Sequence, residues 1–392
     1  MSIPTLFIST PFIIGYICLT VLFLTQLFYF LYYYNQIPKK QSKEVKAKEN
    51  QDLTSLSLII CVENQIDELR ENIDAIMQQD YPDFEVIIVD MASADNTKEY
   101  LEYLSEQHSN LYFSFIPESA RFISKRKLAQ TIGVKASKNE WLVFIDINSK
   151  PISDKWLKTM MKNTTEKTDF VLGYSHYSKE DTNFNRFISY DNQLLHMRFM
   201  GLALRGKPYI GVGRNLAYKK EVFYKDKKAF YNQLNLQRGE DYLFVNQYAN
   251  AENTTVVVEP ESIIEVKALQ RPKSWREIKR FHLLSTARLS GGSKYIVGFE
   301  TTSILLFYLL SITLFIFSLV NLAWIVSTVT LLLFLIRWIV QFIITNKVAK
   351  AMSEGRRYFF SILFLDIIIP LKTLLIRLTL PRKRKGDIVD FS

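Results

Sequence analysis

Three long apolar stretches constrain the fold of this chain of 392 residues more than any other feature of its sequence. Residues 6–34 carry no charge, and residues 299–319 and 323–344 form two further stretches separated by a short turn. Each reaches the roughly 20 residues that a helix needs to cross the hydrocarbon core of a bilayer. We therefore predict an N-terminal transmembrane helix within residues 1–35 and a transmembrane helical hairpin over residues 299–345.

Basic residues are concentrated beside these apolar stretches. Residues 39–48, 347–357 and 372–385 together carry a net charge of +13, whereas the whole chain carries +10. This pattern indicates the cytosolic face of a membrane and its lipid headgroups, and it argues against a nucleic-acid-binding surface. By the positive-inside rule, the N-terminus and the tip of the hairpin lie outside, and residues 55–290 form a cytosolic domain. Residues 36–54 are the basic linker that joins the first helix to this domain.

Charged residues within the last apolar segments need separate explanations. Arg337 lies near enough to the end of the hairpin's second helix to extend its guanidinium to the membrane surface. Residues 358–380 contain Asp366 and Lys372, and a charge at the bilayer centre costs about 2.5–3.5 kcal/mol. We therefore predict that residues 358–392 form an interfacial or re-entrant segment followed by a basic tail. A full crossing by this segment is the alternative.

Two apolar runs between the membrane segments end abruptly on polar side chains. Residues 84–90 end on Asp90, and residues 141–148 pass from consecutive apolar residues into Asp146 and Asn148. Patterns typical of a strand and a helix precede them, so strands and helices alternate as they do in domains built on a parallel sheet. Ligands bind open α/β sheets at the carboxyl ends of the strands. These polar side chains therefore mark a candidate site.

Asp146 and Asn148 indicate a metal site within it. Two hard oxygen donors one residue apart at a strand end suit Mg²⁺ or Mn²⁺ bound to a nucleotide diphosphate. A turn-forming Asp that caps the strand is the alternative interpretation. The chain contains no G-x-G-x-x-G and no G-x-x-x-x-G-K-[ST], so neither a dinucleotide-binding fold nor a P-loop is indicated. Its two cysteines and four histidines do not have disulfide or metal-ligand spacing.

Five motifs in a fixed order resemble the family 2 glycosyltransferases, which have the GT-A fold. They are an opening strand that ends on an asparagine, a second strand followed by D-x-S-x-D-like residues, a basic helix, an E-D pair and a degenerate Q-x-x-R-W. In that order they lie at residues 57–64, 79–95, 125–136, 239–241 and 277–281. The resemblance implies an α/β GT-A domain over residues 55–290 that binds a nucleotide-diphosphate sugar, and it implies transfer of the sugar with inversion.

The resemblance also implies roles on the donor side. Asp90 would contact the nucleoside, while Asp146 and Asn148 would hold the metal on the diphosphate. The other residues expected to bind the donor are Asn64, Asp95, Lys127, Arg214 and Asn215. The last two follow a segment with two glycines, where the backbone can approach a ligand because no Cβ intervenes. The guanidinium of Arg214 can hold a phosphate or a carboxylate through two hydrogen bonds.

On the acceptor side, the resemblance implies that Asp241 is the general base for the acceptor hydroxyl and that Glu240 positions the acceptor. Arg280 would reach the diphosphate from an amphipathic helix at the membrane. A solvated acidic helix start and a simple interfacial anchor are the alternative interpretations of these two segments. Membrane attachment predicts a lipid or lipid-linked glycan acceptor in cell-envelope assembly at the bacterial inner membrane, where the cytosol supplies nucleotide sugars.

Several residues depart from the family pattern. Asn148 stands where a second Asp is usual, and Met91 and Phe281 replace an Asp and a Trp. An amide keeps an oxygen ligand but loses a charge, so metal binding should depend more strongly on the donor's phosphates. Two other functions therefore stay open, a polyprenyl-phosphate sugar transferase and a catalytically degenerate membrane partner protein. Processive polysaccharide synthesis is disfavoured, because two spans after the domain are few for an export channel.

Overall fold

Helices occupy all three of the apolar stretches. The computed structural model describes residues 10–44, 53–117, 124–225 and 240–380. Within these ranges, the helical stretches long and apolar enough to cross a membrane are Ile13–Ser42, Ser293–Val320 and Trp324–Ala351. The first of them combines α1 (Thr10–Phe28), a π-helical segment (Tyr29–Tyr34) and α2 (Gln36–Glu44). Residues 45–52 of the predicted linker, and the predicted basic tail beyond residue 380, lie outside the described residues.

The part between the first and second apolar helices is built on two sheets. Its strands, in chain order, are β1 (Leu56–Val62), β2 (Phe84–Asp90), β3 (Leu111–Phe115), β4 (Trp141–Phe144), β5 (Ser149–Pro151), β6 (Phe170–Leu172), β7 (Ser175–Tyr177), β8 (Leu216–Lys219), β9 (Thr254–Val256) and β10 (Ile264–Val266). The larger sheet has the order β3-β2-β1-β4-β8-β6-β9, and the smaller one has the order β5-β10-β7. Strands β3, β2, β1 and β4 are parallel, whereas β8 runs antiparallel to both of its neighbours. The sheet is therefore mixed, with a parallel half that matches the predicted alternation of strands and helices.

The central strands are hydrophobic because both faces of the larger sheet are covered. All seven residues of β1 are buried, and so are all residues of β2 except its first. The register pairs Val62 with Asp90 and Ile59 with Phe144, so β1, β2 and β4 end at the same edge of the sheet. Asp90 at the end of β2 and Asp146 just after β4 therefore lie at the same edge of the sheet, as the sequence predicted.

Helices cover the sheets and complete the chain. The remaining ones, in chain order, are α3 (Ile66–Met77), α4 (Thr97–Gln107), α5 (Lys125–Ala136), α6 (Trp156–Met161), α7 (Asn183–Ala203), α8 (Lys220–Tyr224), α9 (Glu240–Tyr248), α10 (Pro272–Thr286), α11 (Ser293–Val320), α12 (Trp324–Ala351) and α13 (Ser361–Thr379). Helix α5 packs directly on β1 and β2. A Cβ at Gly133 would lie 2.6 Å from Cγ2 of Ile59, so the helix can approach this closely only with glycine there. This contact fixes the helix that precedes β4.

Helix α7 joins the sheets to the apolar helices. It is buried along most of its length and contacts β7, the π-helical segment, α2 and α13. Its Arg198 forms an ion pair with Glu300 of α11 at 2.6 Å, and the hydroxyl of Tyr34 donates to the same carboxylate at 2.9 Å. Removing one partner of such a buried pair leaves an uncompensated charge and is strongly destabilising. Helix α7 therefore holds the sheets and the apolar helices together.

The guanidinium of Arg337 does not extend to the membrane surface, so that prediction was wrong. Arg337 is 1 % exposed, and its Nη2 lies 2.7 Å from Oδ2 of Asp366 on α13. Its Nη1 donates to the hydroxyl of Tyr308 and to the amide oxygen of Gln341. The sequence did not reveal that α13 brings a carboxylate to α12 and neutralises the arginine among the helices. Helix α13 occupies the predicted interfacial segment, and its orientation to a membrane stays a prediction.

Candidate active site

The loop after β2 is bonded to the end of β1 through Asn64 and Asp90. The buried carboxylate of Asp90 accepts hydrogen bonds from the backbone N–H and the hydroxyl of Ser93, at 3.2 and 2.5 Å. Asn64 has a φ of 51°, a conformation that asparagine tolerates better than most residues. Its Oδ1 accepts from the N–H of Ala94 at 2.7 Å, and its own N–H donates to Ser93 Oγ at 2.8 Å. Two residues predicted to bind the donor thus lie side by side at the sheet edge.

Asp95 shapes the same loop. One of its oxygens accepts from the N–H and hydroxyl of Thr97, at 3.2 and 2.5 Å, and the other accepts from the N–H of Ile66 at 3.3 Å. Burial is the largest single influence and raises the pKa of Asp95, but the hydrogen bonds from Thr97 and Ile66 together bring that pKa below its usual value. The carboxylate therefore stays charged beside the first turns of α3 and α4, where a negative charge is favourable. Direct contact between Asp95 and a donor stays a prediction.

The two residues predicted to hold a metal lie beyond the end of β4. Oδ1 of Asp146 is 2.5 Å from Nη2 of Arg126 on α5, and the Asp146 side chain is 25 % exposed. Asn148 is partly exposed and immediately precedes β5. Its Oδ1 accepts a hydrogen bond from the Ser149 hydroxyl at 3.2 Å. Both oxygen donors are therefore accessible from solvent at the same end of the sheet.

This donor set fits a metal that is shared with a diphosphate. Among the residues that the structure describes, no three His, Cys, Asp or Glu side chains come together as a metal site. One carboxylate and one amide oxygen leave most of the coordination shell of Mg²⁺ or Mn²⁺ to phosphate oxygens and water. Arg126 already neutralises Asp146, so a cation has to compete with the guanidinium for this carboxylate. The arrangement favours metal and nucleotide arriving together.

Helix α5 contributes an arginine that the sequence analysis did not single out. The predicted donor ligand Lys127 is fully buried in the first turn of the helix, where its N–H bonds to Ser124 Oγ at 3.4 Å. The preceding residue, Arg126, is the one that contacts Asp146. The basic run at residues 125–127 was the available signal. The orientation of the helix, which a sequence does not contain, decides which of these three side chains reaches Asp146.

Asp241 approaches the same place from the first turn of α9. Its Oδ1 lies 3.5 Å from Nε2 of Gln130, which is one helical turn after Arg126 on α5. Side chains four residues apart lie on the same helix face, with Cβ atoms about 5–6 Å from each other. The carboxylates of Asp146 and Asp241 are therefore held by neighbouring side chains of one helix. The structure brings together the predicted metal ligand and the predicted base.

Gly213 makes room for the carboxylate of Asp241. A Cβ at this position would lie 2.0 Å from Oδ2 and 2.6 Å from Cγ of Asp241. No real Cβ tolerates such distances, so the backbone of the glycine segment and the carboxylate touch directly. The flexible glycines of residues 211–213 were predicted to let the backbone approach a ligand. In this structure Gly213 lets it approach a catalytic candidate.

Arg214 places a positive charge beside these carboxylates. Its Nη2 donates to Oδ1 of Asn192 at 3.2 Å, and its guanidinium lies 5.4 Å from the centre of the Tyr177 ring. Burial lowers the pKa of Arg214, but Tyr177 and Asp146 raise it above its usual value. The group thus stays charged within electrostatic range of Asp146. It is suited to hold an anionic part of a ligand.

Asn215 faces away from this charge cluster. Its Oδ1 accepts from the indole N–H of Trp156 at 3.1 Å. Its Nδ2 donates to the carbonyl oxygens of Tyr174 and Ser262, at 2.7 and 2.8 Å. A buried amide with these partners is typical of a residue that supports the fold, and donor binding by Asn215 stays a prediction.

The remaining catalytic candidates lie on α9 and α10. Glu240 begins α9, and its side chain is outside the described part of the chain. Arg280 is partly buried on α10. The rings of Tyr242 on α9 and His282 on α10 meet edge to face, with centres 5.4 Å apart. The helix that carries Arg280 therefore lies against the helix that carries Asp241.

Comparison with known proteins identifies the family. The family model described as glycosyl transferase family 2 matches residues 57–226, which include Asn64, Asp90, Asp146 and Arg214. This part of the chain is a family 2 glycosyltransferase domain. The resemblance predicted from five motifs is confirmed.

The relatives of this family 2 glycosyltransferase are bacterial proteins. A glycosyltransferase of Rickettsia felis is 27 % identical over 161 residues, which are 40 % of this chain and 25 % of that protein. GlyG of Streptococcus pneumoniae, named as a glycosyltransferase, is 24 % identical over 136 residues, or 34 % of this chain and 44 % of GlyG. TuaG of Bacillus subtilis, named as a candidate teichuronic acid biosynthesis glycosyltransferase, is 23 % identical over 134 residues, or 34 % of this chain and 52 % of TuaG. The chain thus spans between a quarter and about half of the length of these relatives.

A solved structure resembles the family 2 glycosyltransferase over most of its length. It is the mannosyltransferase PcManGT from Pyrobaculum calidifontis in complex with GDP-Man and Mn²⁺. The TM-score is 0.51 at 14 % sequence identity, and the match covers 86 % of this chain and 98 % of the other. At this identity the similarity concerns the fold, and it confirms the predicted GT-A fold.

Proposed function

We propose that this protein is a membrane-bound, inverting glycosyltransferase that moves a sugar from a nucleotide-diphosphate donor to a lipid-linked or other envelope-glycan acceptor. The observation that carries the proposal is the convergence of Asp146 and Asp241 on one face of α5. Arg126 holds Asp146 and Gln130 lies next to Asp241, one turn apart on that helix. With this spacing, the donor's diphosphate and the acceptor's hydroxyl would bind next to each other. Membership of the family supports the reaction class.

The donor side is assigned to the edge where β1, β2 and β4 end. Asp90, held by Ser93, contacts the nucleoside, and Asn64 keeps the loop after β2 in place. Asp146 and Asn148 hold Mg²⁺ or Mn²⁺, which when bound offsets the charge on the departing diphosphate. Arg214 contributes a permanent positive charge near the same phosphates. The PcManGT complex with GDP-Man and Mn²⁺ supports a divalent metal in this fold.

The acceptor side is assigned to Asp241. Its carboxylate takes the proton from the acceptor hydroxyl while the oxygen attacks the anomeric carbon from the face opposite the diphosphate, which inverts the configuration. General-base assistance typically contributes 10²–10⁴-fold to a rate. Gly213 supports this role, because its missing side chain leaves the carboxylate free of a collision with the backbone segment beside it. In this proposal Glu240 positions the acceptor, and Arg280 reaches the donor's diphosphate from the adjacent helix.

Membrane attachment supports an acceptor that is a lipid or is carried on one. Three described helices are long and apolar enough to cross a membrane. The relative TuaG bears a name that refers to teichuronic acid biosynthesis, which supports an envelope glycan as the product. With the positive-inside orientation, the GT-A domain faces the cytosol of the bacterial inner membrane and meets its nucleotide sugars there.

A screen of nucleotide sugars tests the proposal. Purified protein is heated with UDP-GlcNAc, GDP-mannose and related donors, each with and without Mn²⁺, and the unfolding temperature is recorded. A true donor raises that temperature by mass action, and the increase should be larger with Mn²⁺. Asp146→Ala should remove the metal-dependent part of the increase. If no donor changes the unfolding temperature of the unaltered protein, the non-catalytic membrane partner becomes the better assignment.

A polyprenyl-phosphate sugar transferase is the second candidate, because Arg214 directly follows Gly213, which touches the Asp241 carboxylate, and its positive charge suits a phosphate acceptor. A phosphate is already an anion and needs no general base. Asp241→Asn keeps the shape of the side chain and removes the proton acceptor. We expect turnover to fall by about 10²–10⁴-fold for a hydroxyl acceptor, with donor affinity unchanged. Near-normal turnover in this variant, measured with the donor found by the screen, would favour the phosphate acceptor.

A further inference from the structure

One turn of α7 contacts four separate parts of the protein. Its residues 190–193 follow one another, and each projects about 100° further around the helix axis than the one before. The hydroxyl of Tyr190 donates to Asp366 on α13 at 3.3 Å, and the amide of Gln193 donates to the carbonyl oxygen of Thr345 on α12 at 2.8 Å. These two side chains connect the turn to the apolar helices.

The two residues between them face the candidate active site. Asn192 accepts the hydrogen bond from Arg214 and donates to the carbonyl oxygen of Ser175 at 2.7 Å, so it is fixed on both sides. Asp191 accepts from the indole N–H of Trp275 at 2.8 Å and from Nζ of Lys279 at 2.6 Å. Trp275 and Lys279 both belong to α10. A single carboxylate of α7 thus makes two hydrogen bonds to the helix that carries Arg280.

All three side chains of this contact are buried. Asp191, Trp275 and Lys279 are 8, 5 and 9 % exposed. Charge-assisted hydrogen bonds are the stronger ones in proteins, and breaking a buried ion pair by removing one partner is strongly destabilising. The ring of Phe187, one turn earlier on α7, packs edge-on against Trp275 with centres 4.8 Å apart. The start of α10 is therefore held by α7 through one ion pair, one hydrogen bond and one aromatic contact.

The same face of α10 reaches the helix of the proposed base. Trp275, Lys279 and His282 are separated by four and three residues, the spacing that places side chains on one face. His282 meets Tyr242, the residue after Asp241, in the edge-to-face ring contact. Burial raises the pKa of Tyr242, and the nearby charge of Asp191 contributes to the same increase. Any movement of Lys279 relative to α7 therefore moves the contact between α10 and α9.

We propose that Asp191 is a positioning residue, which holds α10 against α9 so that the acceptor side of the site is correctly shaped. This inference rests on the proposed function and adds to it a residue that contacts neither donor nor metal. Because Tyr190 and Asp191 are adjacent, the turn also fixes the distance between the site and the apolar helices. An acceptor that is anchored in a membrane needs such a fixed distance.

Asp191→Asn tests the proposal, with Glu259→Gln as the matched control. Both changes replace a buried carboxylate by an amide and leave a lysine without its charge partner, Lys279 in the first case and Lys162 in the second. We expect similar losses in unfolding temperature for the two variants. Turnover should fall by about 10²-fold in Asp191→Asn only, because displacements of about 1 Å have such effects on reacting groups. Donor affinity should stay the same in both.

The proposal is overturned if Asp191→Asn loses no more turnover than Glu259→Gln at equal loss of stability. Lys279→Gln and the double variant Asp191→Asn with Lys279→Gln add a second criterion. The double variant restores neutrality and a hydrogen-bonding pair, so its turnover should exceed that of Asp191→Asn. Additive losses in the double variant would mean that the two side chains do not act on turnover through their contact.

A distance measurement keeps this inference separate from the proposed function. Spin labels at Glu277→Cys on α10 and Glu102→Cys on α4, in a Cys18→Ser background, report the position of α10 relative to the sheet. Both labelled positions are exposed. The distance distribution should be narrow in the otherwise unaltered protein and in Glu259→Gln, and broader or shifted in Asp191→Asn. An unchanged distribution would refute positioning by Asp191, whereas failure of all donors to react would refute only the proposed function.

Discussion

At the scale of single residues, the site depends on close contacts that leave no space for an added methyl group. Oδ2 of Asp241 occupies the place that a side chain at residue 213 would need. The Oδ1 atoms of Asp90 and Asn64 likewise accept hydrogen bonds from the short loop after β2. Small changes here should alter the position of a carboxylate before they alter the fold.

Gly213→Ala provides a direct test of this view. The added methyl group would collide with the carboxylate of Asp241. This carboxylate belongs to a side chain that can rotate away, so we expect it to be displaced. We expect turnover to fall by about 10²-fold while donor affinity and unfolding temperature change little. Steady-state kinetics and a donor titration measure the two effects. Gly298→Ala is a suitable control, since a Cβ there has no atom within 4 Å. Equal turnover in the two variants would contradict the proposed position of Asp241.

At the scale of secondary structure, α7 is the element that contacts both the sheets and the apolar helices. It is buried on several sides and carries charged or polar groups that pair with α10, α11 and α13. Such a helix has no solvent-exposed stripe and therefore no strong amphipathic pattern. Its central role could not be inferred from hydrophobic periodicity.

His196 of α7 makes the protein sensitive to acid. Burial, together with the nearby charge of Arg214, lowers the pKa of this side chain from 6.5 to about 3, against an opposing hydrogen bond to the Asn192 carbonyl oxygen. Between these two pH values the unfolded chain binds a proton that the folded chain excludes. The free energy of unfolding therefore falls as the pH decreases from 6.5 towards 3, by up to about 1.4 kcal/mol per pH unit for one histidine. His196→Gln should show a shallower decrease between pH 6.5 and 4.5 in denaturant titrations. Parallel curves for the two proteins would exclude this contribution.

The sequence was sufficient for the fold and for the edge of the sheet where the site lies. Apolar runs that end on Asp90 and Asp146 identify strands, and parallel strands have to present their ends together. The orientation of α5 was not accessible in this way, so the sequence did not single out Arg126, which contacts Asp146. Donor binding by the neighbouring Lys127 stays a prediction. Asp191 gave no signal, because its partners Trp275 and Lys279 lie 84 and 88 residues further along the chain. Contacts over such separations depend on tertiary packing.

At the scale of the whole molecule, one ion pair joins the sheet domain to the apolar helices, and a second joins two helices of the C-terminal part. Arg198 with Glu300 and Arg337 with Asp366 are both formed between segments that the sequence assigns to different regions. The second pair lies among the helices that should face lipid, where an unpaired charge is costly. The domain and the membrane part should therefore unfold together.

The predicted topology can be measured by cysteine labelling of intact cells. In a Cys18→Ser background, a membrane-impermeant maleimide should react with Asn321→Cys at the tip between α11 and α12. It should not react with Glu102→Cys on α4 unless the cells are opened. Both side chains are exposed, so lack of labelling reports the membrane and not burial. Labelling of Glu102→Cys from outside would mean that the domain lies outside the cell, where the nucleotide-sugar donor is absent. That result would refute the proposed function.

The pairing of α1 with α11 sets an order of events during biosynthesis. The amide of Gln26 in the middle of the first apolar helix donates to the hydroxyl of Ser303 at 2.5 Å, although 277 residues separate them. At about 5–20 residues per second, the ribosome needs on the order of tens of seconds to produce the second partner. In the proposed membrane topology, the first helix then remains in the lipid with an unmatched polar group, while the whole sheet domain is made. Full assembly of the protein thus waits for the last third of its synthesis.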